Sequence, residues 1–184
     1  MRRKSMSMLA QILAALNLDI FARHADRVRM ANIAQMVNVL QAMLMTDGPR
    51  IVKTPTYYVF KMYVPFQDAT LLPVRYDAGT YTADNLTLPR VDVIAAKAKD
   101  GRIVMSLVNI DPSRPADFAV TVAGARVSIA RGETLTAPAV DSVNSFVAPN
   151  TVIPKPISAN VANGRLAISL PPKSVTVLTL GRTP

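Results

Sequence analysis

The hydrophobic period of this chain changes near Gln67. Before that point Gly is rare and apolar residues recur at helical spacing; after it come most of the Pro, Gly, Val and Thr, in short alternating runs broken by turn signals. Helices bury a face every 3.6 residues and strands every two, so a chain that switches period once divides into a helical unit and a following β unit. Its 184 residues suffice for one compact domain with a real core, or for one domain and an incomplete second. Half of them are apolar, which excludes a disordered or low-complexity chain.

In the first unit, Leu9, Ile12, Leu13, Leu16 and Ile20 share one face of a helix over Leu9–Phe21. The start Met1-Arg2-Arg3-Lys4 before an apolar run also has the shape of a secretory signal; the helical spacing favours a packed helix. No run reaches the roughly 18 apolar residues of a membrane span. Ala25–Met45 reads as one long helix, apolar nearly all round and so buried on more than one side, with Asp47-Gly48-Pro49 ending it. Arg50–Pro55 is a strand candidate, and Thr56–Tyr63 a helix with Tyr57, Phe60 and Met62 facing inward. Helix, strand, helix is the repeat of an α/β layer or barrel.

The second unit reads as antiparallel β. Val91–Ala98 and Arg102–Val108 flank Asp100-Gly101, which predicts a hairpin closed by a two-residue primed turn. A second hairpin is predicted around Ala123-Gly124, joining 118–122 to 127–130. A third pairs Leu166, Ile168 and Leu170 with Val175, Val177 and Thr179 across Pro171-Pro172-Lys173-Ser174. Short strands at this spacing without helices between them indicate a sandwich or jelly roll.

The chemistry is bounded by what the chain lacks. It has no Cys and one His, which closes off thiolate zinc sites, cysteine nucleophiles and disulfides, and no metal or cofactor site is expected. A net charge of +9 would suit a nucleic acid or an anionic membrane. The cations beyond Arg2, Arg3 and Lys4 are spaced singly, no basic-aromatic run occurs, and neither partner is expected. No phosphate-binding glycine loop and no nucleophile elbow occurs. His24, Asp26, Arg27 and Arg29 read as charges at the start of a helix, and Asn109–Arg114 as an Asx turn. Lys53–Tyr58 follows a strand in an α/β unit, where ligand-contacting groups gather, and an aromatic there is equally at home in a core.

The run Arg23–Gln41, with Thr46-Asp47-Gly48, Thr54-Pro55-Thr56-Tyr57, Val59-Phe60-Lys61-Met62-Tyr63 and Phe66-Gln67-Asp68-Ala69, resembles the late part of the α-L-arabinofuranosidases of glycoside hydrolase family 51. Val152–Pro156 and Leu170–Val175 are similar to that family's closing strands, so the resemblance covers nearly the whole chain from about Leu16. It implies an α+β fragment: the last helices and last strand of a (β/α)8 barrel in residues 1–67, then an antiparallel, jelly-roll-like β-sandwich in residues 68–184. It also implies retaining exo-hydrolysis of arabinofuranosyl groups by two glutamates about 5 Å apart. The chain has eleven Asp but one Glu, Glu133, which matches neither family motif, so no catalytic residue is assigned and the chain alone is expected to be inactive. Thr54 and Thr56 would lie at the rim of the arabinose pocket. An arabinofuranosyl oligosaccharide or polysaccharide is the implied partner of the intact enzyme, the location cytoplasmic, and the isolated chain would self-associate or need the missing barrel part. A stand-alone carbohydrate-binding or interaction module is the alternative, distinguished by exposed aromatics on one sheet face.

Overall fold

The computed structural model describes residues 7–34, 36–125, 127–163 and 165–181. In chain order it runs α1 (Met8–Arg23), β1 (Leu44–Asp47), β2 (Arg50–Lys53) and α2 (Pro55–Tyr63), then a 3₁₀ turn at Val64–Phe66. Strands follow: β3 (Thr70–Leu72), β4 (Thr80–Ala83), β5 (Leu86–Pro89), β6 (Val91–Lys97), β7 (Ile103–Asn109), β8 (Ala116–Thr121), β9 (Ile129–Leu135), β10 (Lys155–Ser158), β11 (Asn160–Ala162), β12 (Arg165–Leu170) and β13 (Ser174–Gly181). A large sheet has the order β10-β9-β13-β7-β6-β3 and a small one β11-β12-β8; β1-β2 and β4-β5 are separate hairpins, and the ladders between these strands are antiparallel, with an isolated parallel bridge between Val37 and Leu44.

The molecule has three layers. One core lies between the sheets, where Val91, Val93, Met105, Leu107, Leu178 and Leu180 of the large sheet meet Ala116, Leu166, Ile168 and Leu170 of the small one. A second lies on the other face of the large sheet, where Val108, Leu135, Val175 and Val177 meet Met8, Ile12 and Ala15 of α1 and Val59, Met62 and Tyr63 of α2. Each large side chain so buried contributes about 1.5–3 kcal/mol. Strands covered on both faces cannot alternate: β7 and β13 are buried almost throughout, whereas β12, solvated on one face, alternates strictly. The first turn of α1 is tied to the loop between β9 and β10, the N–H of Met8 donating to the Ser142 carbonyl at 3.0 Å and that of Leu9 to Val140 at 3.1 Å.

The change of period at Gln67 corresponds to a change of architecture: among the described residues, two α-helices and one hairpin lie before it and antiparallel sheets after it. No helix occurs among the described residues beyond it, and no described helix is long and apolar enough to cross a membrane. Ala25–Met45 is not a helix: residues 24–27 turn, 28–33 have no regular secondary structure, and Asn38 and Gln41 have φ of 57° and 61°, left-handed values that a right-handed helix cannot contain. The Asn38 side chain competes for the backbone, accepting from the Thr46 N–H and donating to its hydroxyl, each at 2.8 Å. Gln35, inside that stretch, and Arg2–Lys4 lie outside the described residues. Gly48-Pro49, expected to stop the helix, instead turns the β1–β2 hairpin, with Gly48 at φ 55°.

The hairpin β6–β7 forms with Lys97 opposite Ile103, but its loop is longer than the two residues expected. The Ala98 N–H donates to the Arg102 carbonyl, the Gly101 N–H to that of Ala98, and Gly101 alone takes a positive φ, a three-residue loop with glycine in the left-handed position. The other two expected hairpins do not form. Strand β8 pairs with β12 and β9 with β13 and β10, while β12 pairs with β8 and β11 and β13 with β7 and β9. Both connections cross from one sheet to the other, because the inward residues on either side face the same core from opposite sheets.

Helix α1 forms but presents a different face. Met8, Gln11, Ile12, Ala15 and Asp19 are buried, while Leu9, Leu13 and Ile20 are about half exposed, at 53%, 48% and 48%. In α2 the buried residues are Pro55, Thr56, Val59, Met62 and Tyr63, so Met62 faces inward as expected, whereas Tyr57 and Phe60 are half-buried.

Gly132, on β9 between β10 and β13, has no room for a side chain, since a methyl group there would overlap the Val177 carbonyl of the neighbouring strand. Gly132→Ala is therefore expected to destabilise by about 3 kcal/mol or more, lowering the melting temperature by roughly 10 °C. Circular dichroism melting checks this, and an unchanged transition would mean that the two backbones can separate freely.

Candidate functional site

Thr54 and Thr56 bracket Pro55 at the junction of β2 and α2. Pro is suited to the first helical position because it has no N–H to leave unpaired, and the residue before it takes the extended backbone that an N-cap requires. The Thr54 hydroxyl accepts from the Tyr57 N–H at 3.4 Å and donates to the Ala42 carbonyl at 2.7 Å, and both threonines are buried. The hydroxyl of Thr56 is buried with no partner among the described residues. Asn144, also buried, clamps the junction from the β9–β10 loop: its amide donates to the carbonyls of Lys53 and Val152, each at 2.9 Å, and its carbonyl accepts from the Val152 N–H at 2.7 Å. Around the rim, Lys53 Nζ lies 5.2 Å from the centroid of Tyr57, Tyr57 packs edge-on against Tyr58 at 5.4 Å, and the Arg50 guanidinium lies 4.9 Å from the ring of Phe146. The junction is a rim of aromatic and cationic groups with one buried hydroxyl that has no partner among the described residues.

A second cluster, not foreseen from the sequence, joins both helices to the large sheet. The Tyr63 hydroxyl of α2 is 2.8 Å from Asp19 Oδ1 of α1 and 2.6 Å from the Ser106 hydroxyl of β7, which is itself 3.4 Å from Asp19 Oδ2. All three residues are buried. Burial is the main reason that the Asp19 carboxyl is pushed up to about 8; neighbouring Asp92 raises it further, while the Tyr63 hydroxyl and Arg23 lower it. Tyr63 is raised well above the usual phenol range, first by burial and then by the charge of Asp19. Arg23 closes the cluster at the surface, 2.6 Å from Asp92 Oδ1 and 3.2 Å from the Val93 carbonyl. The signal available in the sequence was the stripe Met8, Gln11, Ile12, Ala15, Asp19, helically spaced like the more apolar stripe beside it.

The remaining candidates are surface or turn residues. His24, Asp26, Arg27 and Arg29 are exposed, the His24 ring 3.4 Å from the Arg27 guanidinium. Asn109–Arg114 is an Asx turn: Asp111 Oδ1 accepts from the N–H groups of Ser113 at 3.0 Å and Arg114 at 2.9 Å, and Oδ2 is 2.5 Å from Arg114 Nε. Burial alone would raise the Asp111 carboxyl, but those N–H groups and the guanidinium outweigh it and hold it below the usual range. Glu133 is half-buried on β9 opposite Val177, and as the only Glu of the chain it has no second glutamate to act with. Among the described residues no three His, Cys, Asp or Glu side chains converge as a metal site would need.

The profile of the α-L-arabinofuranosidase C-terminal domain matches residues 2–174. The chain belongs to that family. An intracellular exo-α-L-arabinofuranosidase of Bacteroides ovatus is 43% identical over 169 residues, 91% of this chain and 33% of that protein. An exo-α-(1→6)-L-arabinofuranosidase of Bifidobacterium longum is 28% identical over 162 residues, 85% of this chain and 31% of that protein. Among solved structures, the family 51 arabinofuranosidase of Xanthomonas axonopodis pv. citri superposes with a TM-score of 0.93 at 44% identity, over 96% of this chain and 36% of that one. A family 51 enzyme of Thermotoga petrophila, 22% identical with a TM-score of 0.84, shares the fold. This arabinofuranosidase C-terminal domain thus spans about a third of the length of the relatives it matches. Its two helices share a core with the sandwich, so helices and sheets belong to one packed body.

Proposed function

We propose that the chain is the C-terminal part of a retaining family 51 exo-α-L-arabinofuranosidase that removes arabinofuranosyl groups from arabinan, arabinoxylan or their oligosaccharides in the cytoplasm. Residues 1–67 contribute the last helices and last strand of the (β/α)8 barrel and residues 68–184 the sandwich. The change at residue 67 is one of layer, while the core runs across it. The assignment of Thr54 and Thr56 to the arabinose rim rests on the family resemblance, and the aromatic and cationic groups around the junction with the unpartnered Thr56 hydroxyl support it. Thr54 acts there as the cap that orients α2, and Thr56 holds the free hydroxyl.

One observation carries this reading. The residues of α1 that face the sheet include Gln11 and Asp19, while Leu9, Leu13, Ile20 and Phe21 face outward; Met30, Met36, Leu40 and Ile51 are exposed as well, Leu40 at 78% and Met30 at 74%. A helix that turns its most apolar stripe away from its own sheet has a second layer to meet, and the relatives are about three times longer than this chain. The names of the Bacteroides ovatus relative and of a 27%-identical Streptomyces lividans one, both intracellular enzymes, support the location.

Two results follow. The purified chain is expected to show no hydrolysis of an aryl α-L-arabinofuranoside, because the double displacement has neither nucleophile nor acid; turnover that survives Glu133→Gln would overturn this. The chain is also expected to associate at tens of micromolar through the apolar stripe. Covering a handful of side chains at about 1.5–3 kcal/mol each offsets an association cost of roughly 4–15 kcal/mol. Light scattering on the chain beside a Leu13→Lys, Leu40→Lys double variant checks it: the variant shifts toward monomer, and a parent chain already monomeric would refute the idea.

A further inference from the structure

At the free edge of the small sheet, on the side away from the helices, a cleft of about 480 Å³ is lined by Asp77, Gly79, Arg90, Arg114, Asp117 and Phe118. Its walls are fixed by the backbone. The Arg90 N–H donates to the Gly79 carbonyl and the Arg90 carbonyl accepts from the Ile110 N–H, both at 3.0 Å, and the Gly79 N–H donates to Asp77 Oδ1 at 2.9 Å. Arg114 is held from behind by Asp111, through its own N–H and through Nε. Arg90 is half-buried, and its Nε is buried with no partner among the described residues. None of the four charged side chains lining the cleft forms an ion pair with another of them, although two are cations and two anions.

We propose that this cleft binds a short neutral oligosaccharide. The lining charges cancel, and Asp111 behind Arg114 tips the balance negative, so an anion gains nothing from entering. A purely apolar ligand would strip water from two guanidiniums and two carboxylates without replacing its hydrogen bonds. Sugar hydroxyls both donate and accept: carboxylates such as Asp117 and Asp77 take their protons, and Arg90 and Arg114 donate to hydroxyl and ring oxygens. Phe118, half-buried against the core between the sheets, lines the cleft with the apolar surface it leaves uncovered. The edge strand β8 brings main-chain groups with no strand partner on that side. The volume falls within the ~300–1,000 Å³ of small-ligand clefts. Assignment of the sugar to arabinofuranosyl chains rests on the family 51 reading above; the saccharide site does not.

The test is ligand-observed NMR titration of the full chain with α-1,5-linked arabinotriose, with cellotriose and inorganic phosphate in parallel. Arabinotriose is expected to bind saturably in the millimolar range, about tenfold more weakly to Asp117→Asn and to Arg90→Gln, with melting temperatures unchanged. Phosphate is expected neither to bind nor to compete. Equal binding of cellotriose upholds the saccharide site and withdraws only the arabinofuranosyl assignment. Absence of saturable binding to the folded parent chain, binding that neither substitution weakens, or displacement by phosphate overturns the proposal. Because the readout is binding, its failure is separate from any failure of the hydrolytic reading.

Discussion

Raising the pH from 5 to 9 is expected to cost this chain several kcal/mol of stability, and Asp19→Asn is expected to abolish most of that loss. Asp19 lies on the sheet-facing side of α1, shut off from water, with Tyr63 and Ser106 as its hydrogen-bond partners and Asp92 close by. Its carboxyl is pushed from 3.8 to about 8, so between those values the folded chain holds a proton that the unfolded chain has lost. The folded state binds more protons across that window, so stability falls as pH rises from about 4 to about 8 and levels off beyond. The whole shift corresponds to on the order of 6 kcal/mol, of which about 4 kcal/mol falls between pH 5 and 8, near the scale of a whole domain's stability. Asp68, Asp100 and Asp111 shift downward, so their contributions change below about pH 4 and leave the window clear. Asn keeps the shape of a protonated Asp and can still accept from Tyr63. Urea unfolding at pH 5, 7 and 9 should show the parent weakening and Asp19→Asn nearly level, the variant being the more stable at pH 9. A parent whose stability is flat or rises over that range would show that Asp19 is ionised in the folded protein.

What could be read from the sequence was what repeats along it. The alternation of Leu166, Ile168 and Leu170 and the helical spacing around α1 and α2 each announce an element, because the burial of one face recurs at the period of the backbone. Which strand pairs with which was not legible. Strands β8 and β9, like β12 and β13, are neighbours in sequence with matching apolar faces, and two strands facing one core from opposite sheets carry the same pattern as two in a hairpin. The 25–45 stretch misled for a related reason: its apolar residues are dense enough to fill any period, so the decisive signals were Asn38, whose side chain bonds to Thr46, and Gly48 next to Pro49. Of the candidate rim, Thr54-Pro55 was readable as a helix start, but the clamp from Asn144 comes from 91 residues away. The Asp19 cluster was hidden because a carboxylate on a helix is ordinarily a surface charge, and only the sheet position of Ser106 and the packing of Tyr63 make it otherwise.

The central claim is that the outward apolar stripe of α1 and the exposed side chains of Met30, Met36, Leu40 and Ile51 are the seat of the remaining barrel. If so, the chain should complete a relative that lacks this part. The direct measurement is release of nitrophenol from an aryl α-L-arabinofuranoside by a mixture of this chain with the portion of the 43%-identical Bacteroides ovatus enzyme that precedes its matched 169 residues. Neither component alone should turn over substrate, the mixture should, and Leu13→Lys with Leu40→Lys in this chain should lower the rate at least tenfold, since lysines on the seat must be desolvated or expelled. Full activity of the truncated relative without this chain, or reconstituted activity indifferent to both lysines, would contradict the account.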